Sequence, residues 1–165
     1  MAVNELQRLI TSNGAFTPPL RVLDAIPPEF WNSRPAGVPH SIAEELWHIV
    51  YWLDHFLSWA RGEVLPYPES AEQGWRTSGE TTSDEWNSLL SRFRQGLDEA
   101  FSFAAGTPIV LAEQQSTCNE PGVATLTVLE ILINIAVHNA YHLGRVVQLR
   151  QMLGIWPPPG GGDHW

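Results

Sequence analysis

The chain carries a His-x-x-x-His pair, His138 and His142, inside its longest apolar run, about Leu126 to Leu153. Leu129, Ile133, Val137, Ala140 and Val147 recur at helical spacing with no proline between them, which predicts a helix. Two histidines four apart on a helix share a face, one turn above the other, so their rings can converge on one metal ion. The best third donor is His48, in Glu44-Glu45-Leu46-Trp47-His48. Three neutral imidazoles with positions left open are the pattern of catalytic rather than closed structural metal sites. Asn139 stands where a zincin would have its glutamate, which argues against a zincin protease.

Other residues near these three by spacing have two readings each. His55, seven residues after His48, is a candidate fourth ligand or a group behind the ligands. Glu44 and Glu45 are placed to orient an imidazole or act as a base, or else simply favour the dipole of a solvated first turn. Asn134, one turn before His138, suits a hydrogen bond to a ligand or bound water, or a plain interhelical contact. Arg145 suits an anionic substrate group, or an ion pair with Glu44 or Glu45. Trp52 is a same-face neighbour of His48. His40 and His164 read as surface or capping residues.

The elements that must bring His48 to the pair are marked by their boundaries. Val3 to Thr11 forms a first amphipathic stretch, broken at Asn13-Gly14. Pro18-Pro19 opens a segment through Ile26, since proline is tolerated in a first helical turn, and Phe30-Trp31 makes a short aromatic plug. Ser41-Ile42-Ala43-Glu44, Thr82-Ser83-Asp84-Glu85 and Thr127-Val128-Leu129-Glu130 are capping-box patterns. They predict helices to about Arg61, Ala105 and Leu153, the last capped by Gly154. Leu65 to Thr81 is a long irregular connection, of the kind that is often functional; Tyr67, Trp75 and Arg76 are its pocket-lining candidates. Ile109-Val110-Leu111 reads as a short strand or an extended segment. The expectation is one all-α domain over residues 1–165, a four-helix bundle with a long crossover connection. Residues 155–165 should form a tail that packs back near the open metal positions, anchored by Trp156 and Trp165, with Asp163 or His164 at the pocket rim.

Composition limits the partners. Eighteen acidic residues face nine basic ones, all arginine, for a formal charge of -9. That argues against nucleic acid, whose phosphates need basic patches. No apolar stretch reaches the roughly 18 residues of a membrane span, no signal peptide is visible at the N-terminus, and Cys118 is the lone cysteine. A cytoplasmic protein is expected. Cys118 has no base or companion ligand by spacing. The density of Trp, Phe and Leu favours a homodimer that hides surplus apolar surface.

With these residues in place, the sequence resembles the DinB-like (DNA-damage-inducible) superfamily of four-helix bundles. Ser41 to Trp52 resembles its second-helix motif and His138 to Arg145 its last-helix motif, in matching order and with the closing Trp-Pro-Pro. The resemblance implies a divalent metal ion, nickel or zinc, on His48, His138 and His142. It also implies a metal-dependent enzyme acting on a small molecule, either a hydrolase or a transferase using a low-molecular-weight thiol. The alternative is a non-catalytic bundle that binds a metal or small molecule. Nine arginines leave few cations to hold an anionic thiol cofactor.

Overall fold

The computed structural model describes residues 3–11, 17–77, 79–122 and 124–161. In chain order the helices are α1 (Glu5–Thr11), α2 (Pro19–Val22), α3 (Pro28–Trp31), α4 (Ile42–Ala60), α5 (Ser83–Phe103), α6 (Pro108–Glu113) and α7 (Val128–Met152), with a 3-10 turn at Ala71–Gly74 between α4 and α5. α4 and α7 begin with complete capping boxes, Ser41 with Glu44 and Thr127 with Glu130. At α5 only half of the box forms. Thr82 accepts the Glu85 N–H, but the Glu85 carboxylate turns to Arg76 in the preceding connection.

The fold is an all-α bundle in which α4 packs against both α7 and α5, and α1 takes the fourth place against α7 and α5. Ile42, Leu46, Ile49 and Leu53 of α4 meet Ile131, Leu132, Ile135 and Leu143 of α7 in a core closed to solvent. At a full side chain's transfer value, about 1.5–3 kcal/mol each, these positions set the relation of α4 to α7 that the histidines need. Gly96 lets α5 close on α4: a Cβ there would lie 2.5 Å from the Leu53 side chain. α1 is held to the end of α5 by side-chain bonds from Asn4 to Ala104 O (2.6 Å) and Gln7 to Phe101 O (3.2 Å).

Two sequence expectations change. Ile109-Val110-Leu111 is helical, because Thr107 caps Val110 N and Pro108 occupies the first turn. With no strand among the described residues to pair with, the β-branched residues there follow the cap; only Leu111 is buried, and Ile109 and Val110 face solvent. On α7, Ile133 and Val137 are exposed rather than part of the core. That helix is apolar nearly all round, so periodicity alone left its inward face undetermined.

The long crossover is fixed at both ends. Trp59 donates its indole N–H to Leu65 O (2.7 Å), and its ring stacks on Tyr67 at 5.7 Å. Asn32 exchanges two hydrogen bonds with the backbone of Thr81 (3.2 and 2.9 Å). Between these anchors the 3-10 turn is laid over α4.

At the far end of α7, Arg150 is buried without a carboxylate partner. Its guanidinium donates to Val22 O, Asp24 O and Ile155 O, and lies 5.4 Å from the centre of the Trp156 ring. Burial pulls its pKa below the usual arginine value. The described part of the tail therefore makes its contacts with α2 and the last turns of α7: Ile155 and Trp156 with Arg150, and Gly161 O with Arg21 Nε at 3.0 Å. Asp163, His164 and Trp165 lie outside the described residues.

Candidate metal centre

α4 and α7 bring His48, His138 and His142 together. One ring nitrogen of each lies within 4.8 Å of the others. The ring centres are 5.1 Å (His48–His138), 4.3 Å (His48–His142) and 4.4 Å (His138–His142) apart. The shared face of α7 supplies the pair, and the edge of the α4 core stripe supplies the third ring.

Hydrogen bonds on the outer side of the cluster fix which nitrogen faces inward. His48 Nδ1 donates to Gly74 O at 2.6 Å, and His142 Nδ1 donates to Glu45 Oε2 at 2.7 Å. Each bond places the imidazole proton on Nδ1, so a neutral ring keeps a bare Nε2. A ligand imidazole held by a carboxylate or carbonyl is the usual arrangement behind a metal. Glu45 is closed to solvent, and Arg145 lies 2.9 Å from its second oxygen as an ion pair that lacks hydrogen-bond alignment.

The inner side is unsatisfied in the protein alone. His48 Nε2 and His138 Nε2 are 3.2 Å apart. If the His138 proton sits on Nε2 it bonds His48 and leaves Nδ1 bare; if it sits on Nδ1, two lone pairs confront each other. His138 Nδ1 is buried without a well-aligned hydrogen bond either way; the neighbouring Asn139 side chain favours the charged ring, but less than burial and the other imidazoles oppose it. A cation between the rings removes the conflict. Two nitrogens each about 2.0–2.1 Å from a zinc-like ion at a tetrahedral angle stand about 3.3 Å apart, which matches the observed spacing. Burial, reinforced by the neighbouring imidazoles, lowers the pKa of His48 to about 4 and of His138 to about 3. The Gly74 bond opposes the shift at His48 without reversing it. Both rings are thus neutral, the form that binds metal, throughout the physiological range. The donor set fits a divalent ion.

Aromatic rings enclose the cluster. Trp75 of the crossover is sandwiched between His48 (3.9 Å, 14°) and His40 (3.6 Å, 5°). It also meets His142 edge-on at 5.9 Å. Trp52 and Phe56 stand 6.2 and 6.0 Å from His138, and Tyr141 is 4.8 Å from His142. Gly74 has the room of a glycine for a reason: a Cβ would sit 3.0 Å from Trp52 Nε1 and 3.5 Å from the His48 ring.

The remaining candidates separate. Glu45 and Arg145 are at the cluster, and Trp52 is beside it. Glu44 instead closes the capping box and pairs with Arg34. His55 Nδ1 donates to Tyr51 O at 2.8 Å, and its ring packs among Tyr51, Trp52 and Trp59. Asn134 is half-buried one turn before His138. Arg76 joins Thr81 and Glu85. Sequence reasoning missed the Gly74 carbonyl and the stacking of His40 on Trp75, and it noted Asn139 only as standing in the place of a zincin glutamate, whereas the structure buries that side chain next to His138. The dense Trp and Gly of an irregular connection signalled the first two only in kind.

An all-α bundle with α4 packed on α7 and a three-histidine cluster between them defines a class of helical proteins able to hold a metal ion. The model of the DinB superfamily matches residues 20–146, a span that includes all three histidines, and the chain belongs to that superfamily. No curated protein and no solved structure matches it.

Proposed function

We propose that this protein is a metal-dependent enzyme that binds one nickel or zinc ion through Nε2 of His48, His138 and His142. Its reaction would be hydrolysis, or transfer of a low-molecular-weight thiol to a small electrophile. A divalent ion at such a site acts as a Lewis acid, lowering the pKa of a bound water or thiol toward neutrality. The chain's own residues supply the rest. Gly74 O and Glu45 hold two of the rings in their ligand tautomers, and Arg145 balances the Glu45 charge. Trp75 covers the cluster and excludes water from the His48 side. The observation that carries this reading is the confrontation of two Nε2 atoms at 3.2 Å beside a buried Nδ1 that makes no well-aligned hydrogen bond, an arrangement that a cation relieves.

The formal charge of -9 supports a small-molecule rather than a nucleic-acid partner. The single, buried thiol of Cys118 fits a reducing, cytoplasmic setting. Exposed Ile133, Val137 and Tyr141 along the outer side of α7 support a homodimer. Light scattering tests that part, and a solution mass near 18.4 kDa rules it out. The metal reading is tested by metal analysis of the purified protein beside H48A, H138A and H142A. Each variant should lose most of the bound ion, and unchanged stoichiometry in all three would refute the site.

A further inference from the structure

The three rings are not equally reachable. His48 and His142 are buried, whereas His138 is half-buried. The His48 side is closed by Trp75, itself backed by His40. Behind His142 stands the Glu45 carboxylate with Arg145 at 2.9 Å. Access therefore runs past His138, and its flanks are the half-buried rings of Trp52 and Phe56. One turn before His138 on the same helix stands the uncharged Asn134.

Charge in this neighbourhood is already paired. The Arg145 guanidinium is bound to Glu45 and lies 6.0 and 5.9 Å from the Trp75 and Tyr141 ring centres. Releasing it to an incoming carboxylate would strand a fully buried Glu45 charge, a large cost. A ligand anion beyond the donor atom itself would be desolvated among the rings of Trp52 and Phe56, which carry no charge to compensate it. An apolar or aromatic body would meet two rings ready to stack on it.

We propose that the His138 side of the site selects uncharged small molecules with an aromatic or aliphatic body, and that Trp52 and Phe56 are the residues that determine this specificity. The inference rests on the metal reading above and names the substrate class of that same site. It predicts that the low-molecular-weight thiols or electrophiles accepted here carry no carboxylates of their own.

The test uses the full chain loaded with Co(II), with binding read from the cobalt d–d and sulfur-to-cobalt absorption bands rather than from turnover. The probes are benzyl mercaptan, a neutral apolar monothiol, and mercaptosuccinate, a dicarboxylate. Benzyl mercaptan should bind at least about tenfold more tightly, and Trp52→Ala should remove most of that preference at unchanged cobalt content. Asn134→Arg, a change on the half-buried rim that spares the core, should raise mercaptosuccinate affinity by about tenfold and serves if the tryptophan variant folds poorly. Equal or tighter binding of mercaptosuccinate by the wild type overturns the specificity while leaving the metal site standing. A preference that survives in both Trp52→Ala and Phe56→Ala overturns the assignment to these rings. Absence of cobalt bands in the wild type refutes the metal reading itself, and the inference falls with it.

Discussion

α7 buries polar groups at two places, and the two are opposites. In its last turns Arg150 sits 1% exposed, and its guanidinium is spent on the carbonyls of Val22, Asp24 and Ile155. Eight residues earlier, about 12 Å along the helix, lies the histidine cluster. Among the described residues the buried side-chain atoms without a hydrogen bond are Glu45 Oε1, His138 Nδ1 and Asn139 Nδ2, and all three belong to that region, where Glu45 Oε1 has the ion pair with Arg145 at 2.9 Å in place of a hydrogen bond. Buried polar atoms without a well-aligned hydrogen bond are costly, at about 1–3 kcal/mol each. One end of the helix has its polar groups fully matched by the chain and serves architecture. The other leaves them unmatched in the pattern of a site that completes itself with something from outside.

The contrast breaks most visibly at Arg150. Arg150→Met should strand three carbonyls and loosen α2 and the tail together, for a loss of about 3 kcal/mol or more in denaturant unfolding. Metal content per folded molecule should not change. A loss of metal alone, with stability intact, would contradict the division between the two ends.

At the other end the sign should reverse. His138→Leu removes an imidazole whose Nε2 confronts His48 Nε2 at 3.2 Å and whose Nδ1 makes no well-aligned hydrogen bond, so the metal-free protein should be no less stable than wild type, or more stable by up to about 1 kcal/mol. The gain in melting temperature on adding metal should vanish. In the wild type that gain corresponds to about 2.7 kcal/mol at an ion concentration one hundred times Kd. Destabilisation of the metal-free variant by several kcal/mol would mark His138 as an ordinary core residue.

Glu45→Gln sharpens the comparison within the site. It keeps an acceptor for His142 Nδ1 but removes the charge and leaves Arg145 unpaired, so metal affinity should fall by about 10–100-fold. Competition against a chromophoric chelator measures this, and an unchanged affinity would leave Glu45 as mere filling.

A pH series separates the same two ends by a smaller effect. His48 and His138 have folded pKa values lowered to about 4 and about 3, against about 6.5 for an unfolded imidazole. Above pH about 6.5 neither state binds the proton and stability is flat in these groups. As pH falls below 6.5 the unfolded chain takes up protons first. Metal-free stability should therefore decline down to about pH 4 for His48 and about pH 3 for His138. The urea midpoint followed from pH 8 to pH 4 should fall less in His138→Leu than in the wild type; parallel curves would count against it. Smallest of all, Gly74→Ala should cost about 1 kcal/mol, because its Cβ meets Trp52 at 3.0 Å.

The contrast also explains what the amino-acid order made legible. The capping boxes at Ser41 and Thr127 and the apolar stripe of α4 are local signals, and each helix starts where its cap stands. The histidine pair is legible for the same reason, since four-residue spacing is a property of one helix. Joining His48 to it required a relation between helices, which the position of His48 at the edge of the α4 stripe suggested and the family motifs reinforced. Other parts depend on tertiary choice. α7 offers apolar residues on every side, so Ile133 and Val137 could not be told from Ile131 and Ile135 until α4 took its place. Glu44 and Glu45 are adjacent and alike, yet one caps a helix beside Arg34 and the other is sealed behind His142. The Gly74 carbonyl is a backbone group whose role depends on where the crossover lies, and side-chain identity carries no trace of it.

The sandwich of Trp75 between His40 and His48 has a consequence in time as well as in space. The crossover supplies both the carbonyl that holds His48 and the indole that covers it, within two consecutive residues. For an ion to pass on that side, the ring stack must part and the Gly74 bond must break together. Exchange by that route is then paced by the opening of a loop, a motion of microseconds or longer, rather than by the strength of individual nitrogen–metal bonds. A chelator confined to this route would strip the ion at a rate that stops rising with its concentration, a plateau set by the chain itself, whereas a rate that keeps rising would mark removal past His138.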